Sequence, residues 1–222
     1  METFFRQQAI GFNKRLRTRH ALIDSAIDVF SEKGFEDASI SEIAAVAGLA
    51  NGTFYNHFRD KDELAAASAA AITLEIAKQL DERMSDLEAG VSRVVAASFA
   101  FLRLASEHKP WGMVLVEQFQ RRPGEAWAAM QYMRADIQLA LEQRGLDVVL
   151  DDFLLEQLGA LMIAALRRQL SEGLQEAQLQ RTCEHVLRVL GLTPEEARRE
   201  VEGVAGHVLL GDELSLAEIF PR

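Results

Sequence analysis

Cysteine is nearly absent from this chain of 222 residues. The one thiol, Cys183, excludes an intramolecular disulfide, and a buried small hydrophobe is the expectation for it. Proline is scarce, at 4, and no low-complexity tract appears, so a chain with 49% hydrophobic residues reads as folded. No apolar run approaches the roughly 18 residues of a membrane span, and Met1 to Ala9 lacks the hydrophobic stretch of a signal peptide. A cytoplasmic protein without membrane contact is expected. The histidines, His20, His57, His108, His185 and His207, are scattered. There is no metal-ligand cluster, no Ser-His-Asp order around a nucleophile elbow and no Cys-His pairing. No catalytic residue, metal or cofactor is therefore expected. The alternating pattern of strands and the glycine-rich phosphate loop are missing as well, which leaves an all-α fold.

What is there is concentrated in residues 39–64. Ser39, with Glu42 three residues later, is the capping-box arrangement that opens a helix. Ile40, Ile43, Ala44 and Ala47 recur at helical spacing until Gly48 supplies the left-handed backbone that ends it. Leu49 and Ala50 cover a turn, and Phe54 and Phe58 give a second short helix a narrow inward stripe. Asn51, Gly52, Thr53, Tyr55, Asn56 and His57 then face outward. Short hydrogen-bonding side chains beside a glycine make a surface that can approach a DNA groove closely.

The net charge of -10 has the wrong sign for a nucleic-acid partner until it is divided along the chain. Residues 1–20 hold Arg6, Lys14, Arg15, Arg17 and Arg19 against Glu2 alone, whereas residues 64–222 hold 16 basic and 24 acidic side chains. The cations sit where DNA would be, and the acidic remainder limits non-specific association. Arg6 reads as part of a solvated tail, Arg17 and Arg19 as DNA contacts. Leu49 to Phe58 carries no Lys or Arg. Bidentate Arg or Lys to guanine is the commonest strong base contact, while Asn suits adenine and a Thr methyl suits the thymine methyl, so A·T-leaning readout by Asn51, Thr53 and Asn56 is expected.

Several patterns combine over residues 17–64. They are an apolar first helix (Leu22, Ile23, Ala26, Ile27, Phe30), the pair Gly34-Phe35, the core of Ile43, Ala44, Ala47 and Gly48, then Gly52-Thr53-Phe54-Tyr55-x-His57-Phe58 and Lys61-x-Glu63-Leu64. This segment resembles the DNA-binding domain of the tetracycline-repressor (TetR) family. The resemblance implies a basic arm over residues 1–16, a three-helix helix-turn-helix domain over 17–64, and a larger helical ligand-binding and dimerisation domain over 65–222. It places Tyr55, His57 and Lys61 on phosphates. The set assigned to DNA is Arg17, Arg19, Ser39, Ser41, Ala50, Asn51, Gly52, Thr53, Tyr55, Asn56, His57 and Lys61. Two positions depart from many relatives. Asn51 stands where Lys or Arg is common, and Ala50 stands where Ser or Thr caps the recognition helix, so Asn51 is expected to cap instead.

Beyond Leu64 the resemblance is one of architecture. The periodicity predicts helices over Lys61 to about Arg83, Val91 to Ser106, Pro110 to about Gln120, Pro123 to about Arg144, Asp152 to Ser171 and Gln175 to Leu190. Thr193-Pro194-Glu195-Glu196 opens an extra C-terminal helix to about residue 208. Relatives hold a small-molecule pocket in the middle helices. Phe101, Trp111, Met113, Phe119, Trp127, Met130 and Met133 are assigned to it here, with Glu107, His108, Glu117 and Asp136 near enough to orient a polar ligand. In the family the last two long helices pair into a four-helix dimer interface, assigned here to Leu154, Leu158, Leu161, Met162, Ala165, Cys183, Val186 and Leu187. Burial of these residues within one chain is the competing expectation.

The function expected is that of a homodimeric regulator, most often a repressor, released from a palindromic double-stranded operator by a small, largely apolar effector. The alternative is an effector-independent architectural or global DNA-binding protein. An enzyme attached to a helix-turn-helix is a third reading, weakened by the missing catalytic constellations.

Overall fold

Side-chain caps set the helix starts. Asn13 accepts the Leu16 N-H, Ser39 the Glu42 N-H, Asp60 the Glu63 N-H and Asp151 the Leu154 N-H. Each satisfies one of the N-H groups that a helix start leaves without an internal partner. At Thr193 the exchange is reciprocal: its hydroxyl accepts the Glu196 N-H, and Glu196 accepts the Thr193 N-H. The expected box at Ser39 is only half formed, because the Glu42 carboxylate pairs with Lys33.

The computed structural model describes residues 4–8, 11, 13–84, 87–122 and 131–210, and no strand occurs among them. The helices are α1 (Phe4–Gln8), α2 (Lys14–Asp37), α3 (Ile40–Val46), α4 (Asn51–Phe54), α5 (Lys61–Arg83), α6 (Val91–Glu107), α7 (Lys109–Arg121), α8 (Arg134–Arg144), α9 (Asp152–Glu172), α10 (Glu176–Val189) and α11 (Pro194–Leu210), with a 3-10 turn at Gln131–Met133 before α8. They agree with the periodicity to within a few residues. The first part of the helix expected from Pro123 lies outside the described residues. None of the helices is long and apolar enough to cross a membrane.

Two glycines shape the N-terminal half. Gly48 takes φ 70 and ends the first helix of the turn motif as expected. Gly34, at φ 79 and ψ 165, breaks α2 before its end and redirects Phe35 inward. Both angles lie in the region that side chains with a Cβ avoid.

Leu22, Ala26, Ile27 and Phe30 of α2 close over Ile43, Phe54 and Phe58, all buried. The core then continues without a gap through Leu64, Ala65, Ala69 and Ile72 of α5 into the C-terminal half. The expected boundary at residue 64 therefore falls inside one unbroken helix. Helix α7 packs against α2, α5, α6 and α9 at once, making it the hub between the two halves.

The residues assigned to a dimer interface need correction. Leu154, Leu158, Met162, Cys183, Val186 and Leu187 are buried inside this single chain, and Leu161 and Ala165 are half-buried against the same core. Their spacing marked an apolar face correctly, but α6 and α7 cover that face. Burial pushes the Cys183 thiol up to about 12, which keeps it protonated and unreactive. The outward side of α9 carries instead Phe153, Glu156, Gln157, Ala160, Ala164, Arg167 and Arg168, all exposed.

Candidate functional site

Helix α4 is one turn long and presents the outward set as expected. Asn51, Gly52, Tyr55 and Asn56 are exposed, Thr53 and His57 half-exposed, and Phe54 and Phe58 buried. The cap expected from Asn51 does not form. Asn51 is the first helical residue, and the N-cap is Ala50, which has no side-chain hydrogen bond to give. The Asn51 amide consequently projects to solvent together with Thr53 and Asn56. Ser41 is exposed on α3, while Ser39 has its hydroxyl engaged in the cap.

Two cations expected on DNA phosphates are engaged within the protein. Arg19 donates through Nη1 to the His57 carbonyl at 3.3 Å and lies over the Phe58 ring at 4.2 Å, tying α2 to the end of the recognition turn. The remaining guanidinium N-H groups leave it capacity for a phosphate. Lys61 has none left. Its Nζ donates to the carbonyls of Phe35 at 2.5 Å, Glu36 at 3.1 Å and Ala38 at 2.7 Å, at the C-terminal end of α2 where unpartnered carbonyls collect. An ammonium has three donors, so the phosphate role expected for Lys61 is replaced by a helix-capping one. Lys61→Ala is accordingly expected to lower stability by about 1–2 kcal/mol, in the range of charged hydrogen bonds near a surface. It should leave the salt dependence of DNA binding unchanged. Denaturant unfolding and a salt series of binding isotherms check both parts.

Burial, and behind it the charges of Arg15 and Arg19, hold the His57 imidazole below its ordinary value, so the neutral ring is favoured near pH 7. Tyr55 is 58% exposed, its ring edge-on to Phe54 at 5.2 Å. Arg17 is exposed at the start of α2.

The basic arm is partly structured. Asp24, buried in α2, accepts the Phe5 N-H at 3.0 Å and the Arg6 N-H at 2.8 Å, and the Phe5 carbonyl accepts from His20 Nδ1 at 3.0 Å. The Phe5 ring stacks on Trp111 of α7 at 5.5 Å, and Phe4 meets the same indole edge-on at 5.2 Å. Trp111, assigned by sequence to a ligand pocket, is thus the seat of the arm. Desolvation raises the Asp24 carboxyl to about 6, against the opposing pull of its two N-H bonds. An acid whose folded pKa exceeds its unfolded value of about 4 holds its proton more tightly when folded, so this contribution is complete below about pH 4 and is lost as pH climbs through 6. Relative to Asp24→Asn, the protein should lose roughly 2–3 kcal/mol of stability between those limits. Unfolding midpoints of both proteins across that pH range measure it, and a difference independent of pH contradicts it.

At its other end α7 grips the helix-turn-helix half directly. Glu117 Oε1 accepts the Phe35 N-H at 2.7 Å. Arg121 lies over the Phe35 ring at 3.3 Å and forms ion pairs with Glu36 at 2.8 Å and Asp62 at 2.9 Å. Between those two residues on the same helix, Phe119 reaches a cavity.

That cavity, of about 70 Å³, is bounded by Thr73, Ile76, Ala77 and Leu80 of α5, Ala97, Ser98 and Phe101 of α6, Phe119, Tyr132, Met133, and Gly159, Met162 and Ile163 of α9. Of the expected pocket residues, Phe101, Phe119 and Met133 line it, Trp111 and Met113 are not among its walls, and Trp127 and Met130 lie outside the described residues. Met162, assigned to the dimer interface, is a wall. None of Glu107, His108, Glu117 or Asp136 lines it; Asp136 instead accepts the Gly90 N-H and pairs with Arg93. The walls from α5 and α9 escaped sequence reasoning because small residues such as Ala77 and Gly159 look like ordinary packing positions. Among the described lining residues the polar side-chain groups are the hydroxyls of Thr73, Ser98 and Tyr132, and Ser98 donates to the Val94 carbonyl at 2.8 Å.

Residues 22–68 match the family of bacterial regulatory proteins described as the tetR family. An uncharacterised helix-turn-helix transcriptional regulator of Haemophilus influenzae is 36% identical over 77 residues, 34% of this chain and 38% of that protein. The transcriptional regulator BetI of Escherichia coli is 35% identical over 72 residues, 32% of this chain and 37% of BetI. The matches therefore span little more than a third of these relatives. Similarity extends further in structure. RolR in complex with its ligand resorcinol superimposes with a TM-score of 0.68 at 26% identity, covering 85% of this chain and 94% of RolR. The match of residues 22–68 and the helix-turn-helix geometry agree that the N-terminal half carries a tetR-family DNA-binding domain, and the C-terminal half shares the helical architecture of the regulator RolR.

Proposed function

We propose that this regulator is a dimeric repressor that leaves a palindromic operator when a small, uncharged, largely apolar ligand occupies the cavity between α5, α6, α7 and α9. The observation that carries the reading is the placement of Phe119. It lines the cavity, while Glu117 and Arg121 on the same helix hold the Phe35 turn and the start of α5. A ligand that shifts α7 moves the base of the helix-turn-helix half. Release then follows from different ligand affinities for the two arrangements, a coupling typically worth about 1–3 kcal/mol.

The residues lining the cavity limit the ligand. With no charged side chain among the described lining residues, an ionic ligand would find no partner there to offset its desolvation. The hydroxyls suit a phenol or alcohol, and the likeness to resorcinol-bound RolR favours a ring compound of that kind. Domains over 17–64 and 65–222, with DNA contacted by Arg17, Arg19, Ser41, Asn51, Gly52, Thr53, Tyr55, Asn56 and His57, complete the proposal. Two copies are needed because one short recognition helix reads too few base pairs, and the outward side of α9 is the available pairing face.

Titration of a DNA-bound complex with resorcinol, alkylphenols and their carboxylated analogues tests the ligand class. Release by neutral phenols and not by carboxylates supports it. Release by carboxylates alone overturns it, and indifference to every neutral compound favours effector-independent DNA binding.

A further inference from the structure

Arg6, read from sequence as part of a solvated tail, sits on a helix held at a fixed place. Asp24 and His20 grip the backbone of Phe5 and Arg6, and Trp111 seats both phenylalanine rings. Arg6 and Gln7 consequently form one wall of a groove of about 440 Å³. Lys14, Arg17, Thr18 and Ala21 of α2 line it as well, together with Ala47, Gly48 and Leu49. Arg6, Lys14 and Arg17 are all exposed, and among the described residues no acidic one lines the groove.

We propose that this groove binds a backbone phosphate of the DNA whose bases meet α4, so that α1 is a DNA-contacting element in its own right. The proposal rests on the DNA-binding reading of the helix-turn-helix. Three cations converging without a carboxylate make a site for an anion of high charge density, and arginine matches phosphate oxygens with paired N-H donors. Continuity decides the occupant. Gly48 and Leu49, which line the groove, directly precede the Ala50–Asn51 start of the recognition helix, so its anion lies beside the element that meets DNA. Gly48 has open space where a side chain would stand, leaving room for a sugar-phosphate strand.

The site also depends on the regulatory half, because α1 is seated on Trp111 of α7. A contact to DNA is thereby supported by the same helix that lines the cavity through Phe119. Loss of the seat should weaken binding although neither Phe5 nor Trp111 touches DNA.

The test is the salt dependence of operator binding by the full-length protein, on a duplex recovered by selection. Each phosphate contact contributes about 0.9 to the slope of log affinity against log salt. Arg6→Ala should lower the slope by about one per protomer and weaken all sequences alike, and Arg6→Lys should keep most of it. Phe5→Ala should reproduce the Arg6→Ala loss, and combining the two should cost no more than either. An unchanged slope in Arg6→Ala, with wild type binding normally, overturns the phosphate site while leaving the regulator reading intact. A loss confined to heparin binding, with operator binding untouched, overturns it too. If wild type binds no duplex, the DNA reading and the site fall together.

Discussion

Phe54→Ala is expected to abolish operator binding and to lower stability by about 3–5 kcal/mol, the usual cost of deleting a buried aromatic ring. The recognition helix has little else to hold it. Asn51–Phe54 is a single turn, its N-cap Ala50 offers no side-chain bond, and Phe54 is its one buried residue, at 0% exposure. Helices this short do not persist without tertiary packing. The ring meets Phe58 at 5.8 Å and Tyr55 at 5.2 Å, so its loss also loosens the support beneath Tyr55 and His57. Against a total stability of order 5–15 kcal/mol, the helix-turn-helix would be largely unfolded in a weakly stable protein or badly ordered in a stronger one. Denaturant unfolding paired with a binding isotherm reads both effects. A variant of near wild-type stability that still binds its operator contradicts the account of how α4 is held.

The double variant Glu117→Ala, Arg121→Ala has the second largest expected effect, a loss of about 2–4 kcal/mol together with exposure of the Phe35 amide to exchange. Phe35 is the point on which the joint turns. Its N-H is held by Glu117, its carbonyl by Lys61, and its ring lies between Arg121 at 3.3 Å and Lys61 at 4.3 Å. Removing Glu117 leaves a half-buried N-H unpaired, whereas the ion pairs of Arg121 reach partners that are 85% and 42% exposed and contribute less. Glu117 alone should therefore account for most of the loss, and Glu117→Gln, which keeps an accepting oxygen, for little. Hydrogen exchange at Phe35 gives the local readout. Protection that survives in the double variant means that the two halves are joined elsewhere.

Much of this arrangement was legible in the sequence because it depends on neighbours in the chain. Caps at Ser39 and Thr193, the stop at Gly48 and the stripe of Phe54 and Phe58 act within one or two turns, and the periodicity located them. What the sequence concealed depends on partners far along the chain. Lys61 occupies a position that resembles a phosphate contact, yet its three acceptors lie more than twenty residues earlier. The arm is ordered by Asp24 and Trp111, a carboxylate and an indole that no local pattern connects to Phe5. A trace was present: Phe4 and Phe5 are an apolar pair in a basic tail, and Asp24 interrupts the apolar run of Leu22, Ile23, Ala26 and Ile27. Each is out of place unless the two meet. On α9 the leucine spacing marked an apolar face but not what covers it, since α6, α7 and a second copy of the chain would all fit the same pattern.

The central claim is that two copies read a palindrome through the outward face of α4. Selection of random duplex DNA by the purified protein at near-physiological salt, with the stoichiometry of the winning complex measured, tests it most directly. The account predicts two protomers on half-sites about one helical turn apart, roughly 34 to 36 Å, with A·T pairs opposite Asn51 and Thr53 and enrichment lost in Asn51→Ala. A single protomer on an asymmetric site, or enrichment that Asn51→Ala leaves unchanged, would contradict it.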